Sequence, residues 1–391
     1  MSNDINESFN QKIDIERVLG TIKGENNAPT VIVIAGIHGN ETAGVYASKK
    51  VLQKINTQQI NFRGNLYVIS GNINALQKNI RFEKADLNRL WTPENIAYIN
   101  SSQNGFNADV KEQLEIYKLL KEILLHEKGP FYFIDLHTTS ADTKPFITIS
   151  DSLNNRKFSS NFSIPIVLGI EEYLDGPLLT YINEFGHVAL GFEGGQHEDE
   201  ESIDNCEAFV WLALVASGCI HKNQVKEFNY YENTLLAHSD KLDFYEIDYR
   251  YLINDTEDFM MINGFNNFGQ ISKNQVLALS NTIEVKANMD GMIFMPLYQD
   301  QGDDGFFIIT KISRIWLNIS AVVRKMKLYH LLRMLPGIKM DPVHRHTLIV
   351  NPRTAKFLAT QIFHLFGYRK QVIKDNKLHF IKRDRRISEF K

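Results

Sequence analysis

Two segments of this chain place polar side chains directly after apolar runs, where these side chains could meet at one site. The segment IHGNETAG places His38 and Glu41 three residues apart. An imidazole and a carboxylate so spaced can bind one Zn²⁺ ion, although a surface histidine beside a helix-entry glutamate gives the same pattern. The segment FIDLHTTS places His137 at the end of a second apolar run. Two imidazoles and one carboxylate form a catalytic zinc set that leaves one position for water.

Further polar residues in two segments suit the binding and hydrolysis of a substrate. Glu193 ends a third apolar run in HVALGFEGG, and the two glycines after it leave backbone that a ligand can approach. A carboxylate there suits a general base, and a turn carboxylate is the alternative. The segment NIRFEKADLNRLW contains Arg81, Asp86, Asn88 and Arg89. Guanidinium groups bind carboxylates through paired hydrogen bonds, so these residues suit a carboxylate-bearing substrate, with ordinary surface charge as the alternative.

The elements that must position these residues alternate along the first half of the chain. Apolar runs at 31–37, 65–70, 131–136 and 145–150 predict buried strands. The amphipathic stretches at 41–55 and 109–127, which lie between them, predict helices. This alternation predicts an α/β fold with a mostly parallel, mixed sheet flanked by helices. His38, His137 and Glu193 would then lie at the C-terminal ends of strands, where open α/β sheets bind ligands.

The sequence pattern changes twice along the chain, which predicts three parts. Residues 1–222 form the catalytic domain in this interpretation. Residues 223–320 contain short β-rich runs separated by Gly, Asn and Asp, which predict a smaller all-β domain that caps the active site. Residues 321–391 form a basic C-terminal extension of mixed α/β structure, with helices expected at 328–335 and 354–366 before a short hairpin.

Charge is distributed unevenly between these parts. The chain has a net charge of −3, yet residues 321–391 contain 17 Lys/Arg and 4 Asp/Glu. A basic extension on an acidic body favours intramolecular docking, with an anionic membrane surface or polyanion as the alternative partner. Nucleic acid is not expected as a partner because no recognisable binding motif is present.

Cysteine content and hydropathy favour the cytoplasm. The two cysteines, Cys206 and Cys219, fall in one apolar stretch and are expected to be buried thiols. No run of about 18 apolar residues predicts a transmembrane segment. The polar N-terminal segment lacks the apolar core of a signal peptide. Whether the chain forms a homo-oligomer is left open.

The motifs HGNE, DLNR, DLH and EGG, in this order, resemble those of the succinylglutamate desuccinylase/aspartoacylase family within the zinc carboxypeptidase superfamily. The resemblance covers roughly residues 30–310. It implies a zinc-carboxypeptidase-like fold and one Zn²⁺ per chain, held by His38, Glu41 and His137. It also implies that Glu193 is the general base.

The same resemblance implies roles for the DLNR segment. Asn88 and Arg89 would hold the free carboxylate of the substrate, Arg81 would polarise the scissile carbonyl, and Asp86 would orient the first zinc histidine. The implied activity is the zinc-dependent deacylation of a small N-acyl amino acid, in amino acid metabolism, by attack of an activated water. The family's substrate-contacting tyrosine is not aligned here, although Tyr298 is nearby. The arginine that binds the acyl carboxylate has no evident counterpart.

Two alternatives remain for the function. A zinc carboxypeptidase that acts on peptides would use the same metal site, and a non-catalytic binding protein could keep the fold without turnover. An enclosed pocket under the β-rich domain would favour small N-acyl amino acids, whereas an open cleft would favour peptides. The acyl group and the amino acid are not determined by these motifs.

Overall fold

The computed structural model describes residues 15–26, 28–102, 105–237, 242–344, 346–351, 360–374, 377–388 and 390. Within these residues, no helix has the length and apolar character that crossing a membrane requires. Both cysteines are buried free thiols, as the sequence predicts.

Strands and helices alternate through the first part of the chain. The strands are β1 (Val18–Ile22), β2 (Thr30–Ala35), β3 (Asn65–Ser70), β4 (Phe131–Thr139), β5 (Phe146–Ile149), β6 (Ile166–Leu168) and β7 (Val188–Gln196). The helices are α1 (Ala43–Gln58), α2 (Ile73–Lys78), α3 (Pro93–Ser101), α4 (Ala108–His126), α5 (Leu153–Ser159), α6 (Leu178–Glu184), α7 (Glu200–Ala216) and α8 (Phe228–Leu236). Short 3-10 helices occur at Leu87–Arg89, Ile170–Glu172 and Lys222–Gln224.

The β-rich part continues the same sheet through four of its strands. Its strands are β8 (Phe244–Leu252), β9 (Phe259–Met261), β10 (Gln270–Ile271), β11 (Val276–Ser280), β12 (Ile283–Lys286), β13 (Gly291–Phe294) and β14 (Asp304–Ile312). The large sheet has the order β1-β3-β2-β4-β7-β5-β6-β8-β14-β13-β10, whereas β9, β11 and β12 form a separate sheet of order β12-β11-β9. Strands β3, β2, β4 and β7 are mutually parallel, whereas β8, β14, β13 and β10 are antiparallel. The predicted mixed α/β fold with an antiparallel β-rich region is therefore confirmed.

Alternate residues of β2 face opposite helical layers, which explains its continuous apolar run. Val31 and Val33 belong to the core cluster that contains residues of α1 and α7. Ile32 and Ile34 belong to the cluster that contains residues of α4 and α6. A strand covered on both faces needs apolar side chains at every position.

The C-terminal extension folds as a small α/β unit. Its first helix, α9 (Arg314–Lys325), begins before the predicted boundary at residue 320. The elements that follow are a 3-10 helix at Leu328–Met334, β15 (Ile338–Met340), β16 (Thr347–Val350), α10 (Thr360–Leu365), β17 (Tyr368–Lys374) and β18 (Lys377–Lys382). The strands form a sheet of order β15-β16-β18-β17. The predicted helix at 328–335 is thus a 3-10 helix. Of the predicted helix at 354–366, residues 360–365 are helical, and residues 352–359 lie outside the described residues.

Buried ion pairs join this extension to the first part of the chain. Asp151 is fully buried and accepts hydrogen bonds from Arg324 and Arg369. Arg369 also forms an ion pair of 2.9 Å with Glu172. These contacts agree with the docking that the charge distribution predicts. The boundaries at residues 222 and 320 stay predictions, because the large sheet runs through both of the first two parts.

Candidate active site and metal centre

His38, Glu41 and His137 converge on one buried point at the C-terminal edge of the parallel strands. Nδ1 of His38 lies 2.7 Å from Oε1 of Glu41, and Nδ1 of His137 lies 2.8 Å from Oε2 of the same carboxylate. Potential ligand atoms of the three residues all lie within 4.8 Å of one another. His38 and Glu41 occupy the turn between β2 and α1, whereas His137 lies within the last residues of β4. The sequence placed His137 just after this strand, so the strand is longer than predicted.

The outward nitrogens of both histidines contact carboxylates. Nε2 of His38 lies 3.0 Å from Oδ1 of Asp86, and Nε2 of His137 lies 2.9 Å from Oδ2 of Asp135. A carboxylate at Nε2 favours a proton on that nitrogen, which leaves the Nδ1 lone pair free to bind a metal. Two such lone pairs and the Glu41 carboxylate face a common point, so the residues present fit a divalent cation.

Sequence reasoning missed Asp135, although a signal was available. Asp135 and His137 are two residues apart on β4, so their side chains project from the same face of the strand. A histidine whose neighbour at this spacing is a carboxylate is the pattern expected for a metal ligand with a supporting partner.

The electrostatics of the cluster favour a charged carboxylate between imidazoles. Burial alone would raise the pKa of Glu41, but His38 and His137 hold this pKa well below its ordinary value. Burial would lower the pKa of His137, but Asp135 and Glu41 raise it well above its ordinary value. The carboxylates of the site therefore supply negative charge that stabilises a cation placed between the two imidazole rings.

Glu193 lies beside this cluster with an unused carboxylate oxygen. It pairs in register with His137 on the neighbouring parallel strand β7. Its side chain is buried, and Oε2 has no hydrogen-bond partner among the described residues. Burial raises the pKa of Glu193 to about 7, Glu41 adds to this increase, and His137 opposes it. A carboxyl group with such a pKa can both accept and donate a proton near neutral pH.

The two glycines after Glu193 serve packing between elements. A Cβ atom at Gly194 would lie 2.6 Å from Sγ of Cys206, and one at Gly195 would lie 2.5 Å from Oγ of Ser202. Both contacted residues belong to α7. The space on the Cβ side of these glycines is therefore occupied by this helix.

Arg81 lies partly buried against the acidic side of the cluster, with its side chain 14% exposed. Its Nη2 donates to Oδ2 of Asp86 at 3.1 Å, and its Nη1 donates to Oε1 of Glu41 at 3.4 Å. Asp86 thus bridges Arg81 and His38, and these contacts raise the pKa of Arg81 against the effect of its burial. The guanidinium stays charged next to the point where the two imidazoles converge.

Asn88 and Arg89 are already engaged with other parts of the chain. Asn88 Oδ1 accepts a hydrogen bond from the backbone N–H of Leu178 at 3.0 Å. Arg89 Nη2 donates to Oδ2 of Asp304 at 2.9 Å. Asp304 also forms an ion pair with Arg250. No local motif indicates the pair between Arg89 and Asp304, because the two residues are 215 positions apart.

A cavity of about 120 Å³ connects these residues. Its polar side contains the residues that the sequence analysis singled out, except Asp86, which lies behind His38 and Arg81. Its other side is mostly apolar and includes Ile149, Ile170, Leu174, Pro177, Leu179, Ala189, Leu297 and Phe307. Residues 295–297 of the β-rich part contribute to the wall, and its role as a cap stays a prediction.

His197 is a further polar residue of the cavity that the sequence analysis did not identify. Its Nδ1 lies 2.7 Å from Oγ1 of Thr138, and its Nε2 lies 3.1 Å from Oε1 of Gln299. Tyr298 instead donates to the carbonyl of Ile262 and is not part of the cavity wall. The described residues of the wall include no tyrosine.

Comparison with known proteins identifies a catalytic domain of known type. Residues 27–210 match the family model described as the succinylglutamate desuccinylase/aspartoacylase catalytic domain. A succinylglutamate desuccinylase from Photorhabdus laumondii is 26% identical over 158 residues, which cover 40% of this chain and 47% of that protein. A probable aspartoacylase from Acaryochloris marina is 28% identical over 119 residues, covering 30% of this chain and 37% of that protein. The matched regions thus span less than half of these curated relatives.

Solved structures share the fold over most of their length. A succinylglutamate desuccinylase from Vibrio parahaemolyticus has a TM-score of 0.55 at 15% identity, covering 79% of this chain and 95% of that chain. An ectoine utilization protein from Ruegeria pomeroyi has a TM-score of 0.54 at 15% identity, covering 75% of this chain and 88% of that chain. At these identities the likeness establishes the architecture.

Proposed function

We propose that this chain, whose residues 27–210 match the succinylglutamate desuccinylase/aspartoacylase catalytic domain, is a zinc-dependent amidohydrolase of that family. Its substrate in this proposal is a small N-acyl amino acid, and its products are the amino acid and a carboxylic acid. The observation that carries the proposal is the arrangement of His38 and His137, whose Nδ1 atoms both face Glu41 beside an unpartnered Glu193 oxygen.

The metal in this proposal is one Zn²⁺ ion per chain. His38, Glu41 and His137 would hold it, and when bound it would supply Lewis acidity that polarises the amide carbonyl and lowers the pKa of water. Asp86 and Asp135 would keep the two imidazole rings in orientation through their Nε2 atoms.

Glu193 is the proposed general base. Its free Oε2 accepts a proton from the attacking water and later donates this proton to the leaving nitrogen of the amide. Burial raises the pKa of Glu193 to about 7. Near neutral pH its carboxyl group can therefore both accept a proton from water and release that proton to the leaving nitrogen.

Arg81 is proposed to stabilise the negative charge that develops on the carbonyl oxygen. Its guanidinium already lies beside Glu41 and Asp86, and its Nε has no hydrogen-bond partner among the described residues. A fixed donor of this kind stabilises an oxyanion without reorganising during the reaction.

Arg89 is proposed to bind the α-carboxylate of the substrate, with Asn88 positioning the segment. The ion pair between Arg89 and Asp304 bears directly on this role. A substrate carboxylate would replace Asp304 at the Arg89 guanidinium, while Arg250 remains as a partner for Asp304. In this exchange Arg89 gains the substrate carboxylate as its partner, and Asp304 keeps its ion pair with Arg250.

The acyl group in this proposal is short and apolar. Ile149, Leu179 and Ala189 are among the apolar residues that line the cavity. Among the described residues, the cavity wall contains no lysine, and its arginines, Arg81 and Arg89, both form ion pairs. A second carboxylate on the acyl group would therefore lack a free cation, and its desolvation would be unfavourable.

The size of the cavity favours a small substrate over a peptide. Its volume of about 120 Å³ lies below the roughly 300–1,000 Å³ of sites for drug-sized ligands. The β-rich part walls the cavity through Leu297 and Phe307, which leaves little room for a polypeptide in extended conformation. A peptide carboxypeptidase is therefore the weaker alternative.

A hydrolysis screen with zinc-loaded protein tests this function. N-acetyl, N-propionyl and N-succinyl derivatives of several amino acids would be compared with blocked dipeptides, by quantifying the free amine released. We expect the short apolar acyl groups to give the highest kcat/KM. The Glu193→Gln variant should retain zinc and lose about 10²–10⁴-fold in kcat. Zinc-loaded protein that hydrolyses none of these amides would exclude the function and favour a non-catalytic binding protein.

A further inference from the structure

A second cavity lies between the catalytic domain and the C-terminal extension. It has a volume of about 330 Å³ and shares no residue with the active-site cavity. The body contributes residues around the start of α5 and the turn before β7, including Ser152 and His187. The extension contributes the end of α9 and residues 382–386. The cavity therefore exists only because the extension docks on the body.

The lining of this cavity is strongly basic. Seven lysine and arginine side chains line it, and Asp384 is its single carboxylate among the described residues. The seven basic residues are Arg324, Lys325, Lys327, Lys382, Arg383, Arg385 and Arg386. Such a concentration of positive charge attracts anions and raises their local concentration.

Ion pairs within the protein neutralise only part of this charge. Arg324 pairs with Asp151 and Asp384, Arg383 contacts Glu171 at 3.4 Å, and Arg385 lies 3.9 Å from Glu184. The other four cations form no ion pair with the described residues, and these four are Lys325, Lys327, Lys382 and Arg386. Lys382 instead lies over the ring of Tyr329.

Two residues of the lining, Arg383 and His187, also contain a buried polar atom that has no hydrogen-bond partner among the described residues. Arg383 is 6% exposed, and its Nη2 has no hydrogen-bond partner among the described residues. His187 is also 6% exposed, and its Nδ1 is likewise without a partner. Burial lowers the pKa of His187 to about 4, so its imidazole is neutral at pH 7 and can donate from one nitrogen. Buried polar groups without partners are rare and point to a missing ligand or water.

We propose that this cavity binds a small oligophosphate anion, either free or as part of a nucleotide. A phosphate group carries about −1.5 to −2 charges at neutral pH, so two or three linked phosphates match the four unpaired cations. Their oxygens point in several directions and can accept hydrogen bonds from several lysine and arginine side chains of the lining at once. A single phosphate would leave about half of the cationic charge unbalanced.

The test uses the full-length protein and isothermal titration calorimetry. Pyrophosphate and tripolyphosphate should bind saturably with one site per chain, and each should raise the Tm. Inorganic phosphate and citrate should bind at least tenfold more weakly than tripolyphosphate. Tighter binding of ATP than of tripolyphosphate would identify a nucleotide as the source of the phosphates, whereas equal affinity would identify the free anion.

Matched variants separate this cavity from the general charge of the extension. The triple variant Lys325→Ala, Lys327→Ala and Arg386→Ala removes three exposed side chains and should weaken tripolyphosphate binding at least tenfold. The control, Lys339→Ala with Lys377→Ala, removes exposed lysines of the extension that do not line the cavity and should change Kd less than twofold. Arg383→Lys tests the buried donor and should also weaken binding.

Three results would overturn the proposal. They are the absence of tripolyphosphate binding to the intact protein at millimolar concentration, equal weakening in the triple and control variants, and tighter binding of citrate than of any oligophosphate. Binding of a single-stranded oligonucleotide that tripolyphosphate cannot displace would instead assign the basic surface to a nucleic acid. Amide hydrolysis enters none of these readouts, so the outcome is independent of the proposed enzyme function.

Discussion

Each histidine of the candidate metal centre lies between two carboxylates, and this pairing fixes which nitrogen is available. His38 lies between Glu41 and Asp86, and His137 lies between Glu41 and Asp135. In both rings the nitrogen next to the shared Glu41 is Nδ1. The outer carboxylates therefore set the ring orientation on which metal binding depends.

Replacement of Asp135 with asparagine should weaken zinc binding without abolishing it. The amide is neutral and increases the basicity of His137 less than a carboxylate does, so we expect a loss of about 10–100-fold in zinc affinity. Competition with a chromogenic chelator measures this affinity. His137→Ala should lose zinc altogether, and the exposed Asp204→Asn should match the wild type. Unchanged affinity in Asp135→Asn would remove this residue from the metal centre.

The proposed role of Arg89 predicts a requirement for a free α-carboxylate. An α-amide analogue of the best substrate should lose about 10–150-fold in kcat/KM, because the guanidinium would forfeit a charged hydrogen bond. Arg89→Lys should lose a similar factor on the acid and little further on the amide, since an ammonium group cannot form the bidentate contact. Equal kcat/KM values for acid and amide with the wild-type enzyme would exclude an amino acid substrate.

The local sequence motifs contained the three candidate metal ligands, but they did not contain every residue that pairs with the side chains of the site. His38, Glu41 and His137 were predicted to meet because apolar runs ended next to them, and the structure brings their ligand atoms together. Asp304 lies far from Arg89 in sequence, on a strand whose position depends on the pairing of β14 with β8. No local pattern contains that pairing, so the ion pair was not predictable from the motifs.

At the scale of elements, three parallel strands deliver the site. Strands β2, β4 and β7 are adjacent and run in the same direction, so their C-terminal ends share one edge. The alternation of apolar and amphipathic segments was sufficient to predict this arrangement. The antiparallel pairing of β5 with β7 was not predictable, because a buried strand has the same apolar composition in either direction.

Close packing of α7 on β7 makes Gly194 sensitive to substitution. A methyl group there would lie 2.6 Å from Sγ of Cys206 and 2.9 Å from the carbonyl oxygen of Ser202. Gly194→Ala should therefore lower the free energy of unfolding by about 1–3 kcal/mol, measured by urea denaturation.

The background variant Cys206→Ala provides the control for this substitution. Removal of Sγ eliminates one of the two contacts, so Gly194→Ala should cost less in this background than in the wild type. Equal costs in both backgrounds would show that contact with α7 through Cys206 does not determine the requirement for glycine.

At the scale of the whole molecule, opposite charges join the extension to the body. Burial would raise the pKa of Asp151, yet Arg156, Arg324 and Arg369 hold it well below its ordinary value. Two of these three arginines come from the extension. The overall charge asymmetry predicted this docking, but the partners could not be assigned, because a net charge does not specify which side chains meet.

Glu172 makes the docked state sensitive to acid. Burial would raise its pKa, but His364 and Arg369, both in the extension, lower it from 4.5 to about 2. A carboxyl group whose pKa is lower in the folded state contributes stability above its unfolded pKa and loses it as the pH falls toward the folded pKa. The contribution of Glu172 should therefore be complete above pH 5 and disappear between about pH 4.5 and pH 2, with a size of roughly 3 kcal/mol.

Urea denaturation at a series of pH values from 2 to 7 tests this sensitivity. The wild-type free energy of unfolding should fall as the pH decreases through this window, and Glu172→Gln should show a shallower decrease and a lower plateau at pH 7. The plateau falls because Arg369 loses a buried anionic partner, while Asp151 still pairs with the same guanidinium. Glu232→Gln, which changes an exposed residue of α8, should retain the wild-type profile. If Glu172→Gln and the wild type lose stability with the same slope between pH 4.5 and 2, then the ion pairs of Glu172 with the extension do not contribute to the acid sensitivity of the fold.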